Sequence, residues 1–171
     1  MEIIMDIIIE RAKPSDAEEV LAYLKQIGGE SDNLTFGAEG LPFSVEAEAS
    51  YIANMADSKD DIMLVAKING KIAGSASLNR QARRMSHRGD FAVNVLKEFW
   101  NMGIGTILTE RIIEFAREND FEYIDLQVRS DNHCAVHLYE KFGFEKIGTH
   151  PSFTKIDGVD IPADYMCFKL Q

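Results

Sequence analysis

The stretch from Phe91 to Thr106 constrains this chain more than any other. Phe91 to Val95 reads as a short strand, and a short loop follows it. Trp100-Asn101-Met102-Gly103-Ile104-Gly105-Thr106 then opens a helix with two glycines. A helix N-terminus carries backbone N–H groups without intrahelical partners and a partial positive charge. Glycines let an anionic ligand approach that backbone closely, so the three parts together form a seat for a pyrophosphate. Packing alone accounts for two glycines at a helix start about as well. The P-loop pattern is absent, because no Gly-Lys-Ser/Thr follows. A dinucleotide fingerprint would need a third glycine where Leu108 stands, and its glycines would have to follow the strand at once. Asp125 lies at the right distance for a ribose contact but inside the next strand rather than at its end.

The helix itself runs from Gly103 to Asn119, with Ile104, Ile107, Leu108, Ile112, Phe115 and Ala116 on one side. Around it the other elements follow in order. A strand spans Ile3 to Arg11. A helix starts at Pro14-Ser15-Asp16, with Ser15 as N-cap and Glu18 completing a capping box, and ends before Gly28-Gly29. A second helix, capped by Ser44, reaches about Asp57. Ile62–Ile68 and Ile72–Leu78 form a hairpin about Asn69-Gly70. Tyr123–Val128 is a strand, and Asn132 caps a short helix that stops at Gly143. Glu145–His150 and Tyr165–Leu170 close the chain as strands, with a turn at Asp157-Gly158. This is an α+β chain whose mixed sheet begins antiparallel and has a βαβ-like centre.

Its 171 residues suit one domain over 1–171. Lys and Arg number 18 against 28 Asp and Glu, a net charge of −10, which argues against binding a phosphate backbone. Two cysteines, Cys134 and Cys167, make no disulfide framework and suit a reducing cytosol. The apolar N-terminal run is split by Asp6 and lacks a basic lead, and no other stretch is long enough to span a bilayer. A cytoplasmic protein that meets neither membrane nor nucleic acid is the expectation.

A second motif lies downstream. Val128-Arg129-Ser130-Asp131-Asn132 leads into Ala135, Leu138-Tyr139-Glu140-Lys141-Phe142-Gly143-Phe144. With this motif the chain resembles the GNAT superfamily of acetyl-CoA-dependent N-acetyltransferases. The first stretch is similar to that family's pyrophosphate loop, (Arg/Gln)-x-x-Gly-x-(Gly/Ala). The second is similar to its Asn…Ala…Leu-Tyr-Glu-Lys-x-Gly-Phe helix. Their order, with one strand between them, makes the pair specific. The resemblance extends over nearly the whole chain, from Pro14, Asp16 and Ala17 through the hairpin and Gly74 to the Asp164–Leu170 strand. It is strongest to the bacterial branch of ribosomal-protein, polyamine and amino-acid N-acetyltransferases. It implies a mostly antiparallel mixed sheet flanked by about four helices, with a cofactor-binding centre.

The resemblance also implies roles. Val93 and Val95 pair their backbone with the pantetheine arm like an added strand, and the Val95 amide holds the thioester oxygen. Asn101, Met102, Gly103, Ile104, Gly105 and Thr106 cradle the pyrophosphate. Asn132 bonds the pantetheine while capping its helix. Tyr139 is the general acid that protonates the departing CoA thiolate. Two positions depart from the family. Trp100 replaces the Arg/Gln at the head of the loop, where it can pack beside the cofactor. Gln127 stands where ribosomal-protein alanine acetyltransferases keep a Glu as base.

The function implied is acetyl transfer from acetyl-CoA to a primary amine by direct attack. The stretch from Gln26 to Ser58 has no Lys or Arg and holds Glu30, Asp32, Glu39, Glu46, Glu48 and Asp57. It suits a small cationic amine, an amino acid or a peptide N-terminus. Glu30 and Glu39 are base candidates by position, against a solvated acidic surface. A non-catalytic acyl-CoA sensor on the same fold is the rival reading, kept open by Gln127. His133 and His137 have zinc-pair spacing but no third ligand, so no metal is expected. Cys134 reads as a small buried residue. Arg80, Arg83, Arg84, His87 and Arg88 form a solvated basic loop or an anion contact, such as one to the 3′-phosphate of CoA. Dimers are common among similar proteins, so a homodimer stays open.

Overall fold

Apolar residues in 61–68 and 71–80, joined by two residues that tolerate positive φ, close a hairpin in the computed structural model, which describes residues 5–170. Asn69 and Gly70 sit at φ 51° and 80°, the backbone that a tight hairpin between right-twisted strands requires. The strands are β1 (Ile7–Arg11), β2 (Asp61–Ile68), β3 (Lys71–Arg80), β4 (Arg88–Val95), β5 (Tyr123–Arg129), β6 (Glu145–Ile156) and β7 (Val159–Lys169). The helices are α1 (Ala17–Glu30), α2 (Val45–Met55), α3 (Ile104–Glu118) and α4 (His133–Phe142). All seven strands form one sheet in the order β1-β2-β3-β4-β5-β7-β6. Every pairing is antiparallel except β4 with β5. The expected α+β mixed sheet with four helices and a βαβ-like centre is therefore the observed architecture.

One apolar core lies between the sheet and α3 and α4, built on Leu78, Phe91, Ile104, Leu108, Ile112, Leu126 and Tyr139. A second lies on the other face under α1 and α2, built on Val20, Tyr23, Ile27, Ile52, Val65 and Leu96. Gly74 lets α3 approach the sheet: a Cβ there would lie 3.2 Å from Ile104 and 3.3 Å from Leu108.

Three local expectations are corrected. Pro14–Asp16 form a 3-10 turn, and Ser15 does not cap α1. Asp16 instead accepts from the Lys13 N–H and from Lys67 Nζ, both at 2.8 Å, and a charge-assisted bond outcompetes a hydroxyl cap. Helix α1 runs through Gly28-Gly29 to Glu30. Its Gly28 serves packing, since a Cβ there would lie 2.1 Å from the Gly37 carbonyl oxygen. Helix α2 is capped by Ser44, whose Oγ accepts from Ala47 at 3.1 Å, and ends at Met55. The expected strand residues Ile3 and Ile4 lie outside the described residues, and the strand itself begins at Ile7.

Candidate active site

The parallel pairing of β4 and β5 lasts for only three residues, Arg88–Asp90 with Tyr123–Asp125. Beyond it, β4 follows β3 to Val95 and β5 follows β7 to Arg129, so the two strands part like a fork. Arg88 closes the joined end, donating to Asp125 at 2.6 Å. The Leu96 N–H bonds Ala73 on β3 at 2.8 Å. By the alternation of an antiparallel ladder, Val93 and Val95 then turn their N–H and C=O groups to the open edge. The Val95 carbonyl already holds one partner, the Trp100 indole N–H, at 2.8 Å.

Beyond the fork the chain turns into α3. Asn101 and Gly103 have φ of 63° and 80°, a backbone that gathers N–H groups into a concavity. The first helical bond joins the Ile107 N–H to Gly103 O at 3.1 Å, so the N–H groups of Gly103, Ile104, Gly105 and Thr106 have no helical partner. Ile104 offers only its backbone here, since its side chain is 1% exposed in the core. Met102 also packs against that core. Gly105 has no positive φ, and a Cβ there would rest 3.6 Å from Leu138 and 3.9 Å from Val95 without a clash. Neither conformation nor protein packing demands glycine at 105, which leaves that space fit for a ligand. A groove of about 180 Å³ continues from there, lined by Thr106, Leu138, Lys141 and Phe142.

Helix α4 borders the same fork. The Asn132 Oδ1 caps it through the Ala135 N–H at 3.4 Å, which leaves the amide nitrogen of Asn132 for another partner. Gly143 ends it at φ 106°. Tyr139 is 7% exposed, with its ring edge-on to Phe91 and tilted against Phe144. Burial pushes its hydroxyl up to about 12, so it stays protonated throughout the working range.

On the α1 side, the acidic segment crosses the open end of the fork. Glu30 accepts from the Lys97 N–H, just past β4, at 2.9 Å, and Asp32 O accepts from Arg129, at the tip of β5, at 3.4 Å. Both acidic base candidates have structural partners here. Glu30 also accepts from Gln26, and Glu39 folds back on the Gly37 N–H at 2.9 Å, a bond that lowers its pKa. Gln127 is exposed on β5.

Two further readings change. Arg80 is bound to Asp60, Ser86 O and Asn119 O and stacks on Phe121. With Arg88 on Asp125, the basic cluster surrounds the joined end of the fork. The loop that opens α3 follows the opposite end of β4, about 23 Å away at 3.3 Å per residue. Cys134 is exposed, not buried. Among the described residues no group of three His, Cys, Asp or Glu could hold a metal ion, and no helix is long and apolar enough to cross a membrane.

Known proteins share this arrangement. The sequence pattern of the Acetyltransferase (GNAT) family matches residues 32–144. The chain belongs to the GNAT acetyltransferase family. It is 34% identical over 115 residues to the L-amino acid N-acetyltransferase AaaT of Escherichia coli, covering 66% of this chain and 70% of that protein. It is 28% identical over 96 residues to the N-alpha-acetyltransferase RimI of Mycobacterium tuberculosis, covering 56% of this chain and 59% of that one. Among solved structures, a GNAT acetyltransferase from Streptococcus pneumoniae superimposes with a TM-score of 0.93 at 32% identity, over 96% of this chain and all of that one. The yncA acetyltransferase of Salmonella typhimurium, solved with acetyl-CoA, shares the fold with a TM-score of 0.83 at 17% identity, over 96% and 94% of the two chains. This GNAT chain is thus an acetyltransferase, and its family uses acetyl-CoA.

Proposed function

We propose that this enzyme moves the acetyl group of acetyl-CoA to a primary amine by direct attack in the β4–β5 fork. The carrying observation is the fork itself, whose unpaired β4 edge leads to four free N–H groups at the start of α3. The pyrophosphate fits against Asn101–Thr106, with backbone donors for its charge. The pantetheine arm fits along Val93 and Val95 and takes the Asn132 amide nitrogen as a further donor.

The amine lone pair attacks the thioester carbon, and the Val95 N–H holds the oxygen as its charge grows. Collapse breaks the carbon–sulfur bond. Tyr139 gives the thiolate its proton, and water takes the proton that the amine loses. No covalent bond to the enzyme forms. Trp100 replaces an Arg or Gln without removing any backbone donor.

The acceptor reaches the fork from the α1–α2 side, under the segment that holds Glu30 and Asp32. That charge favours a cationic acceptor, namely a small amine, an amino acid or a peptide N-terminus. The name of the E. coli relative, an L-amino acid N-acetyltransferase, supports the amino-acid class. A steady-state assay of free CoA over a panel of primary amines tests the reading. Amine-dependent CoA release supports it; acetyl-CoA binding with no release on any amine favours the sensor.

A further inference from the structure

Asn94 stands between Val93 and Val95, the two residues whose backbone faces the fork. Those valines pack toward α3, so the Asn94 side chain points to the opposite face, under α1. There the Tyr23 and Ser75 hydroxyls both donate to its Oδ1, Ser75 at 3.3 Å. Tyr23 also reaches the Asn94 main-chain oxygen at 3.1 Å. Tyr23 is 4% exposed, and burial holds its hydroxyl far above the ordinary phenol range, so it remains a donor at any working pH. Two donors on Oδ1 turn the amide's NH2 away from them. That NH2 bonds none of the described residues. No fully buried side-chain nitrogen or oxygen among them lacks a partner, so it opens on accessible space. Asn94 lies in the half of β4 that has parted from β5, three residues before Lys97, where the acidic segment is tied down.

We infer that Asn94 reads the acceptor. Its NH2 donates to an oxygen next to the acceptor's amine, so the acceptors are amines with a neighbouring carbonyl or carboxylate. Free amino acids, their amides and peptide N-termini have that oxygen; plain alkyl polyamines do not. A neutral amide suits the task. A carboxylate here would stabilise the protonated amine, which has no lone pair for attack, whereas an amide holds the oxygen without favouring that form. Tyr23 and Ser75 are positioning residues, which fix the amide's orientation. The inference rests on the acetyl-transfer reading.

The test compares an amino-acid amide with the alkylamine that keeps its side chain and lacks its carboxamide. Asn94→Asp keeps the oxygen for Tyr23 and Ser75 but removes the NH2. Asn94→Ala leaves Tyr23 the main-chain oxygen. Wild-type enzyme should prefer the amide, and both variants should lose about tenfold in the ratio of the two kcat/KM values, with CoA affinity unchanged. An unchanged ratio in the variants, or a wild-type preference for the alkylamine, overturns the role of Asn94 and leaves acetyl transfer standing. A wild-type enzyme that acetylates no amine at all overturns acetyl transfer, and this inference with it.

Discussion

The ring of Tyr139 stands edge-on to that of Phe91, with 6.1 Å between centroids, at the first β4 residue beyond its last pairing with β5. The contact seats the ring where the fork opens, and Phe144 supports it at 5.7 Å. Packing thus fixes the ring and leaves the hydroxyl to act.

Tyr139→Phe keeps the ring and isolates that hydroxyl. General acid catalysis contributes about 10²–10⁴-fold, so kcat should drop at least about tenfold. CoA affinity and Tm should hardly move, and the loss should fall on kcat because the proton is needed only on collapse. Since burial pushes this hydroxyl up to about 12, Tyr139 should cause no loss of kcat between about pH 7 and 10. Near-normal turnover of the variant, with chemistry limiting the rate, would contradict the role.

Gly105 allows a paired test. Gly105→Glu puts bulk and charge into the cradle, and calorimetry should show CoA affinity weaker by at least about tenfold, or 1.4 kcal/mol. Gly105→Ala meets no clash and should raise Tm slightly, because alanine favours a helix over glycine by about 1 kcal/mol. A folded Gly105→Glu enzyme with unchanged CoA binding would remove this loop from the site.

Trp100 is the only tryptophan of the chain and is 47% exposed. Its indole holds the Val95 carbonyl, on the edge where the pantetheine arm would pair. CoA should therefore shift the emission of the protein, and Trp100→Phe should abolish the shift. Affinity in that variant should stay within about threefold, or 0.7 kcal/mol, because the cradle's donors are backbone groups. Saturating CoA with no change in wild-type emission would separate Trp100 from the site.

The acidic segment predicts a salt effect. Screening shortens to about 10 Å at 0.1 M salt, so the KM of a cationic acceptor should rise with ionic strength. A best acceptor that is anionic, or a KM indifferent to salt, would make this segment a solvated surface only.

Asp16 predicts a pH effect on stability. Burial raises its pKa, but the Lys67 hydrogen bond, the Lys13 N–H and the nearby lysine charges outweigh it and leave the value below the ordinary 3.8. A lowered folded pKa means the stabilisation is full above about pH 4 and is lost as pH falls through the folded value. Asp16→Asn should cost about 1.5 kcal/mol near neutral pH, since Lys67 keeps Glu10 as a partner at 3.1 Å, and should flatten the acid limb of Tm against pH. An acid limb of unchanged slope would show that other carboxylates carry it.

The features legible in sequence were those with one local cause. Asn69-Gly70, Ser44, Asn132 and Gly143 each act within a turn or a helix end, and each sits where its chemistry predicts. The missed features depend on partners distant in sequence. Ser15 was a sound local cap, but Lys67 recruits Asp16 from 51 residues away. Gly28 resembled a helix stop until the Gly37 carbonyl lay against it. Glu30 reads in sequence as a base candidate or a solvated acid, yet its carboxylate answers to the Lys97 N–H, a bond that no spacing announces. The polar group between Val93 and Val95 gave one usable signal, an Asn in the otherwise apolar run 91–95; what fixes its amide is Tyr23, on another element.

The most direct measurement follows a labelled acetyl group. Acetyl-CoA with isotopic acetyl carbons is mixed with the enzyme and its best amine, and CoA thiol and acetylated amine are counted together. The account predicts one label on the amine nitrogen for each thiol freed, and none on the protein. Thiol freed without acetylated amine, or label held on the chain, would contradict direct transfer in the fork.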